Sequence, residues 1–406
     1  MIVDTELFIP IIIFSILFHL NRNFNCKYSH IFEKSIGLIL VAWYTFIYIE
    51  YGIIFGIIYM IYLMRWNDNH RFEGVENKNA SVIVEDDNAG LDFLLNNKIF
   101  LKNIFHKKYT ENFVFNMKNY MYRLNSSSSS IIQHPFSEEK YIMIVRNVNY
   151  YLDLNGNSII SQDNNNKIVT VNKIIILDNS YNIEKEYLLD TIYKNTPYIG
   201  LEDVRFFNFN EQIYYIGSYY NENTKNIEIA SNIYNINESK LSPIGITPSF
   251  LTKNKWEKNW VFFNNNNELN VIYQWNPLYI CKINYKTKKL ELVKENRDVP
   301  VFFKKIRGST NGVLYEEKIW FIVHFSIDIS YKKSYNHLFV VFDKDMNLFG
   351  YSKPFKFENY IVEFCIGMTL DKKTNNFIIT YSTLDKTTNL IVLSNDYVKS
   401  IIISVK

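Results

Sequence analysis

From Glu139 onward the chain is a succession of short apolar–aromatic runs separated by polar turns, and this alternation restricts the fold more than any other feature. KYIMIV, KIIILD, QIYYIGSYY, IEIASNIY, WVFF, LNVIYQW, KIWFIVHF, HLFVVFD, NFIITYS and NLIVLS follow one another. Most have the length of strands, about four to eight residues. Asn, Asp, Gly and Lys punctuate them at hairpin spacing, and no long stretch carries a helical period. Tyr and Phe number 31 each, and such aromatic content suits strands better than helices. This part of the chain is predicted to be all-β.

The runs fall into five units, near residues 138–180, 182–240, 245–290, 300–350 and 355–403. A propeller blade of four strands takes about 40–50 residues, so five units predict a five-bladed β-propeller. The units share no repeated signature such as Trp-Asp, and a pair of β-sandwiches fits the same pattern of runs. The expected organisation is an N-terminal hydrophobic region over residues 1–70, a connecting region over 71–128 and the propeller over 129–406.

The N-terminal region holds two apolar stretches, Phe8 to Leu20 and Ile36 to Met64. The second has Glu50 as its one charged residue and exceeds the roughly 20 residues of a spanning helix. It predicts a membrane anchor, with Trp43 and several Tyr as an interfacial belt. A buried helix or strand pair is the competing reading, favoured by β-branched content and by the cost of a carboxylate at mid-bilayer. With residues 36–64 as the single span, Arg22, Lys27 and Lys34 hold the N-terminus in the cytoplasm and place the propeller on the lumenal side, in a viral or host secretory pathway. The N-x-S sequons at Asn79, Asn125 and Asn237 agree with that side. Gly90 to Phe105 reads as a short amphipathic helix, and the run Ser126 to Ser130 as an exposed loop.

Composition excludes several classes of function. Lys plus Arg number 44 against 41 Asp plus Glu, a net charge of +3, too small for a nucleic-acid binder acting through bulk charge. Three scattered cysteines make neither a disulfide framework nor a zinc site. Neither a Walker loop, a Gly-x-Gly-x-x-Gly turn nor a Gly-x-Ser-x-Gly elbow occurs. His324 and His337 lack the pairing and carboxylate partner of a metal site.

Four clusters carry chemistry. Gly200 to Phe207 (GLEDVRFF) places Glu202, Asp203 and Arg205 before a strong strand. A carboxylic acid there suits proton transfer to a glycosidic oxygen, and an arginine suits an acid or anion; a turn with a structural Asp–Arg pair is the plainer alternative. Lys258 and Asn259 suit phosphate or sugar hydroxyls, and Trp275 suits stacking on a sugar face, with core packing of Trp260 and Trp275 as the alternative. Arg307 in RGSTNG, followed by His324, Tyr335 and His337, suits an anion site, or else a β-turn and an exposed histidine. Glu363 and Asp385 form the fourth set, brought by the repeat to the same central face.

In this order the segments resemble glycoside hydrolase family 130, the β-mannoside phosphorylases and hydrolases, and especially its giant-virus and eukaryotic glycosyltransferase-like branch. The segments that carry the resemblance run from about Ser129 to the C-terminus: VRNVNYYL, GLEDVRFF, EKNWVFF, YQWNPL, RGSTNGV, IVHF, YNHLFVVFD, FENYIVEFC and YSTLDKTT. The resemblance implies a five-bladed propeller with Asp203 as catalytic acid. It implies Lys258, His324 and Tyr335 at the anion site, and Asp385 on the sugar hydroxyls. Arg146 and Arg307 lie in segments suited to phosphate. Val204 stands where the family typically has Pro, which alters the loop while keeping Asp203 and Arg205.

The expected function is a glycosyltransferase moving a mannosyl unit with inversion, with a nucleotide-sugar or sugar-phosphate donor, no further cofactor and an oligosaccharide or glycan partner. A β-mannoside phosphorylase or hydrolase is the alternative within enzymes. A non-catalytic glycan-binding propeller is the alternative outside them.

Overall fold

The computed structural model describes residues 98–160, 167–191, 194–250, 256–329 and 332–405. The apolar stretches at 8–20 and 36–64 lie outside them. Among the described residues no helix is long and apolar enough to cross a membrane.

The chain is nearly all-β, as the alternating runs predict. Five antiparallel meanders of four strands follow one another. Blade I comprises the second half of Tyr120–Gln133, then Tyr141–Val148, Ile168–Leu177 and Ile183–Leu188. Blade II runs Glu202–Phe209, Gln212–Asn221, Asn226–Tyr234 and Ile244–Pro248. Blade III runs Val261–Asn265, Glu268–Trp275, Leu278–Asn284 and Lys289–Asn296. Blade IV starts with a split strand, Arg307–Gly308 and Val313–Tyr315, and continues through Lys318–Ile329, Lys332–Asp343 and Leu348–Ser352. Blade V has Glu363–Leu370, Phe377–Thr383 and Asn389–Leu393, and its fourth strand, Phe105–Lys108, arrives from the N-terminal side.

The apolar core shows how the meanders are arranged. One cluster joins blades I and II through Ile144, Ile174, Phe206 and Tyr215. A second joins II and III through Ile216, Phe262 and Val271. A third joins III and IV through Phe263, Trp275, Phe321 and Phe342. A fourth joins IV and V through Trp320, Phe339, Phe377 and Ile379, and a fifth joins V back to I through Ile378, Leu390, Tyr141 and Met143. Five interfaces among five sheets make a closed, propeller-like ring. Alternate residues of each strand face opposite neighbours, so both faces are apolar and the runs read as nearly continuous hydrophobic segments.

Two local expectations are overturned. Ser126 to Ser130 is the buried inner strand of blade I, not an exposed loop. Only small side chains fit where the inner strands crowd together. These serines also bond between blades: Thr380 Oγ1 donates to the Ser129 carbonyl (2.6 Å), Thr388 Oγ1 to the Ser127 carbonyl (2.6 Å), and the Phe206 amide to Ser130 Oγ (3.1 Å). The helix expected up to Phe105 is extended from residue 98 onward, because Ile99–Phe100 pairs with Phe355–Lys356 and Phe105 enters blade V.

No signature is common to the five units, but blades I and IV share one turn. At Asp178 and Asp343 the carboxylate accepts the amides two and four residues on, at 2.7–2.9 Å, and the side chain of Asn182 or Asn347. The residue before that Asn takes a left-handed φ, +62° at Tyr181 and +59° at Met346. Both turns link the third and fourth strands of their blades. Asp-x-x-x-Asn is a self-contained turn and needs no large conserved side chain, which hides it in an Asn-rich sequence.

The crowding at the centre yields a test. A Cβ built on Gly367 would lie 2.1 Å from Thr380 Oγ1 and 2.8 Å from both the Ile131 amide nitrogen and the Ser129 carbonyl oxygen. Two of these obstacles are backbone of the neighbouring blade and cannot rotate away. Gly367→Val should therefore cost about 2–3 kcal/mol of stability through overpacking, read as a lower urea midpoint. An unchanged midpoint would show that the inner strands are looser than described.

Candidate active site

The strands of the ring carry several of the sequence-selected residues to one cavity of about 480 Å³. Arg146 comes from blade I, Glu202 and Asp203 from the inner strand of blade II, and Lys258 and Asn259 from the approach to blade III. His324 and Tyr335 come from the paired strands of blade IV, and Asp385 follows the second strand of blade V. Residues 239 positions apart, Arg146 and Asp385, thus line one wall system. Asp203, Asn259 and Asp385 all have left-handed φ, +51°, +65° and +49°, and Leu384 has +54°. Asp and Asn tolerate that region better than other side chains, and a buried Leu does not. At Leu384, beside Asp385, this is local backbone strain at the cavity.

The register of blade II breaks between Glu202 and Arg205, a bulge that re-aims adjacent side chains. Arg146 answers both carboxylates: Nη1 lies 3.1 Å from Asp203 Oδ1 and Nη2 lies 3.4 Å from Glu202 Oε1. Nη2 also donates to the Tyr150 hydroxyl at 3.3 Å. Lys258 Nζ sits 3.3 Å from Glu202 Oε2. Glu202 therefore bridges two cations and serves to hold them.

The two aspartates sit in different surroundings. A second register break, between Ser126 and Ser129, turns both Ser127 and Ser128 toward carboxylates. Ser127 Oγ donates to Asp385 Oδ1 (2.8 Å) and Ser128 Oγ to Asp203 Oδ1 (3.3 Å). Burial pushes both carboxyls up. At Asp203 the Arg146, Lys258 and Arg205 charges and the Ser128 hydroxyl outweigh that push, and its pKa falls below the ordinary value. At Asp385 burial wins over Arg146 and Ser127, and its pKa is raised. The two acids are thus pushed in opposite directions by their surroundings.

His324 is buried, its Nδ1 2.8 Å from Ser309 Oγ and its ring stacked on Tyr335 at 5.6 Å. Burial pulls its pKa down to about 3, assisted by Arg205 and Arg307. It is a neutral hydrogen-bonding group.

Other selected residues lie elsewhere. Arg205 is buried and donates to the carbonyls of Ser309 (2.6 Å) and Asp203 (2.9 Å) and to Asn259 Oδ1 (3.4 Å), stapling blade II to IV. Glu363 is fully buried and accepts the amides of Phe357, Glu358 and Tyr360. Trp275 is a core residue, its ring edge-on to Phe321 at 5.4 Å. His337 is fully buried, stacked on Phe355 at 6.0 Å. Arg307 is exposed and lines a second cavity of about 540 Å³, which shares Lys258 and Asn259 with the first. Among the described residues no His/Cys/Asp/Glu group is placed to hold a metal ion.

Tyr150 and Lys333 also line the axial cavity, with Ser127 and Ser128 behind it, and none of the four is marked by residue type and spacing. Tyr150 stands four residues after Arg146 in VRNVNYYL. The serines were hidden because a polar run resembles a loop.

The neutral His324 generates a pH prediction. Between its unfolded value near 6.5 and about 3 when folded, the unfolded chain binds a proton that the folded chain does not. Stability therefore falls as pH drops through that window. His324→Gln should flatten the decline of the denaturant midpoint between pH 7 and 4. The slope would not vanish, because burial also holds His337 well below its ordinary value. An identical slope in the variant would mean that His324 is more hydrated than its surroundings indicate.

No protein-family model matches the chain, and no curated protein matches it. Solved structures of similar fold include a β-1,2-mannobiose phosphorylase from Listeria innocua, at 10% identity and TM-score 0.46, covering 69% of this chain and 93% of that one. A mannose phosphorylase from Leishmania mexicana in complex with phosphate ion is similar at 10% identity and TM-score 0.44, covering 79% and 95%. A GDP-Man-dependent mannosyltransferase from Leishmania mexicana is similar at 11% identity and TM-score 0.39, covering 67% and 86%.

Proposed function

We propose that the protein is a carbohydrate-active enzyme, a glycosyltransferase that moves a mannosyl unit with inversion. The observation that carries this reading is the state of Asp203: a buried carboxylate kept ionised by Arg146 in a cavity that also holds Lys258 and a second, protonation-prone carboxyl, Asp385. The choice of mannose follows from the motif resemblance of the sequence.

The lining suits a sugar. Carboxyl, amide and hydroxyl groups alternate with Tyr150, Tyr335 and Phe364, a mixture that matches hydroxyls on a ring with apolar C–H faces. The volume lies within the roughly 300–1,000 Å³ of small-molecule sites. In the forward step an acceptor hydroxyl attacks the anomeric carbon of the donor. Its proton passes to Asp203, and the bond from the anomeric carbon to the donor's phosphate oxygen breaks with its electron pair on that oxygen. Lys258 stabilises the charge that develops there, while Arg146 holds Asp203. Asp385, its pKa raised by burial, hydrogen-bonds a sugar hydroxyl. Phosphorolysis or hydrolysis would need Asp203 protonated at the start, and Arg146 opposes that.

Asp203→Asn keeps the shape and removes the base. Turnover should fall by about 10²–10⁴-fold while mannoside binding persists. The measurement is release of nucleotide from GDP-mannose and of phosphate from mannose 1-phosphate, in parallel, over a panel of mannoside acceptors. Turnover untouched by Asp203→Asn would overturn the assignment of the base. A wild-type protein that binds mannosides and turns over neither donor would be a glycan-binding module.

A further inference from the structure

The second cavity is distinct in character from the first. Trp256 forms one wall with 53% of its surface exposed, an unusual state for the largest aromatic side chain. Lys258 Nζ lies over the Trp256 ring, 5.9 Å from its centre, so the indole carries a cation on one face. Lys304 and Arg307 add positive charge, brought there by the 3-10 turn Val301–Lys305 and the strand that follows. Arg307 Nη1 donates to the carbonyls of Lys304 (3.0 Å) and Ile306 (2.8 Å), which fixes the guanidinium beside the opening. The one carboxylate in the lining, Glu257, is buried, and it accepts from Trp260 Nε1 at 3.3 Å and the Tyr273 hydroxyl at 3.2 Å. Three cations thus face the cavity while its acid is turned inward.

An exposed indole beside several cations suits a ligand with a flat ring and a multiply charged anion. A neutral oligosaccharide would use the indole but would not draw on the charge of Lys258 and Arg307. The wall shared with the axial cavity consists of Lys258 and Asn259, so a phosphate at Lys258 would join a sugar on one side to a base on the other. We infer that the second cavity seats the nucleoside diphosphate of the donor, with the base against Trp256 and the phosphates at Lys258 and Arg307. This rests on the transferase reading of the axial cavity and names the class of donor that reading requires.

The test uses the full chain and binding alone, with GDP, UDP and ADP as probes and mannobiose as the axial-cavity control, by titration calorimetry. At least one nucleotide should bind, more weakly at higher salt. Trp256→Ala and Arg307→Ala should each weaken it about tenfold, the loss of one stacked base or one charge-assisted phosphate contact, with mannobiose binding unchanged. No nucleotide binding where mannobiose binds would overturn the inference, as would nucleotide binding indifferent to both substitutions. Trp256→Ala weakening mannobiose and not the nucleotide would also overturn it and make the cavity a sugar-acceptor subsite. Mannosyl transfer from mannose 1-phosphate without nucleotide binding would sink this inference and leave glycosyl transfer standing. Nucleotide binding lost in Trp256→Ala, in a protein that turns over no mannosyl donor, would support the cavity assignment and sink the transferase reading.

Discussion

The contact on which the site depends is the Arg146 guanidinium held between Glu202 and Asp203. All three side chains are buried. Taking charges out of water is expensive, and the mutual attraction offsets that cost only when every partner is in place. Removal of one member leaves an uncompensated charge, typically worth about 3–5 kcal/mol of stability. The same triad joins blade I to blade II and sets the protonation of Asp203. Stability and chemistry therefore draw on one interaction, so a change at Arg146 cannot alter the reactivity of Asp203 without loosening the ring.

The ring makes such a buried charge cluster tolerable. Inner strands from neighbouring blades approach closely enough for side-chain hydroxyls and amides to bond the next blade's backbone, as Ser130 does to Phe206 and Asn311 to both Phe206 and Phe262. Arg205 adds a charged staple between blades II and IV. Small polar residues are the only ones that both fit and satisfy the backbone groups there. The apolar interfaces lie further out, where Phe, Tyr and Trp dominate. The molecule is thus greasy between its blades and polar at its centre, the reverse of a simple oil-drop core.

This inversion explains what was legible in the sequence. Strand runs such as KIWFIVHF and HLFVVFD were visible because both faces of a blade are buried. The unit count of five was also readable, but the boundaries were not. Ile183–Leu188 belongs to blade I although the spacing assigned it to the next unit, and the inner strand of blade I was concealed in a serine run. Asp203, Lys258, His324, Tyr335 and Asp385 do meet at one cavity. Arg205, Trp275, His337 and Glu363 do not line it. Each sits beside a residue that does, or on a neighbouring strand, and sequence proximity cannot tell which way a bulged strand points a side chain. Glu363 could not have been separated from a ligand-binding acid without knowing that residues 357–360 fold back onto it.

The electrostatics of the cavity also carry a direction. Asp203 is ionised, Asp385 is biased toward its acid form, and His324 is neutral. An incoming dianion at Lys258 would offset part of the desolvation that keeps His324 uncharged, and so favour uptake of a proton there. It would also compete with Glu202 for Lys258, releasing Glu202 to lean more fully on Arg146. Arg146 would then share less of its charge with Asp203, whose basicity would rise as the anion arrives. Under the proposed transferase reading, the cation network would thus couple binding of the leaving group to the basicity of Asp203.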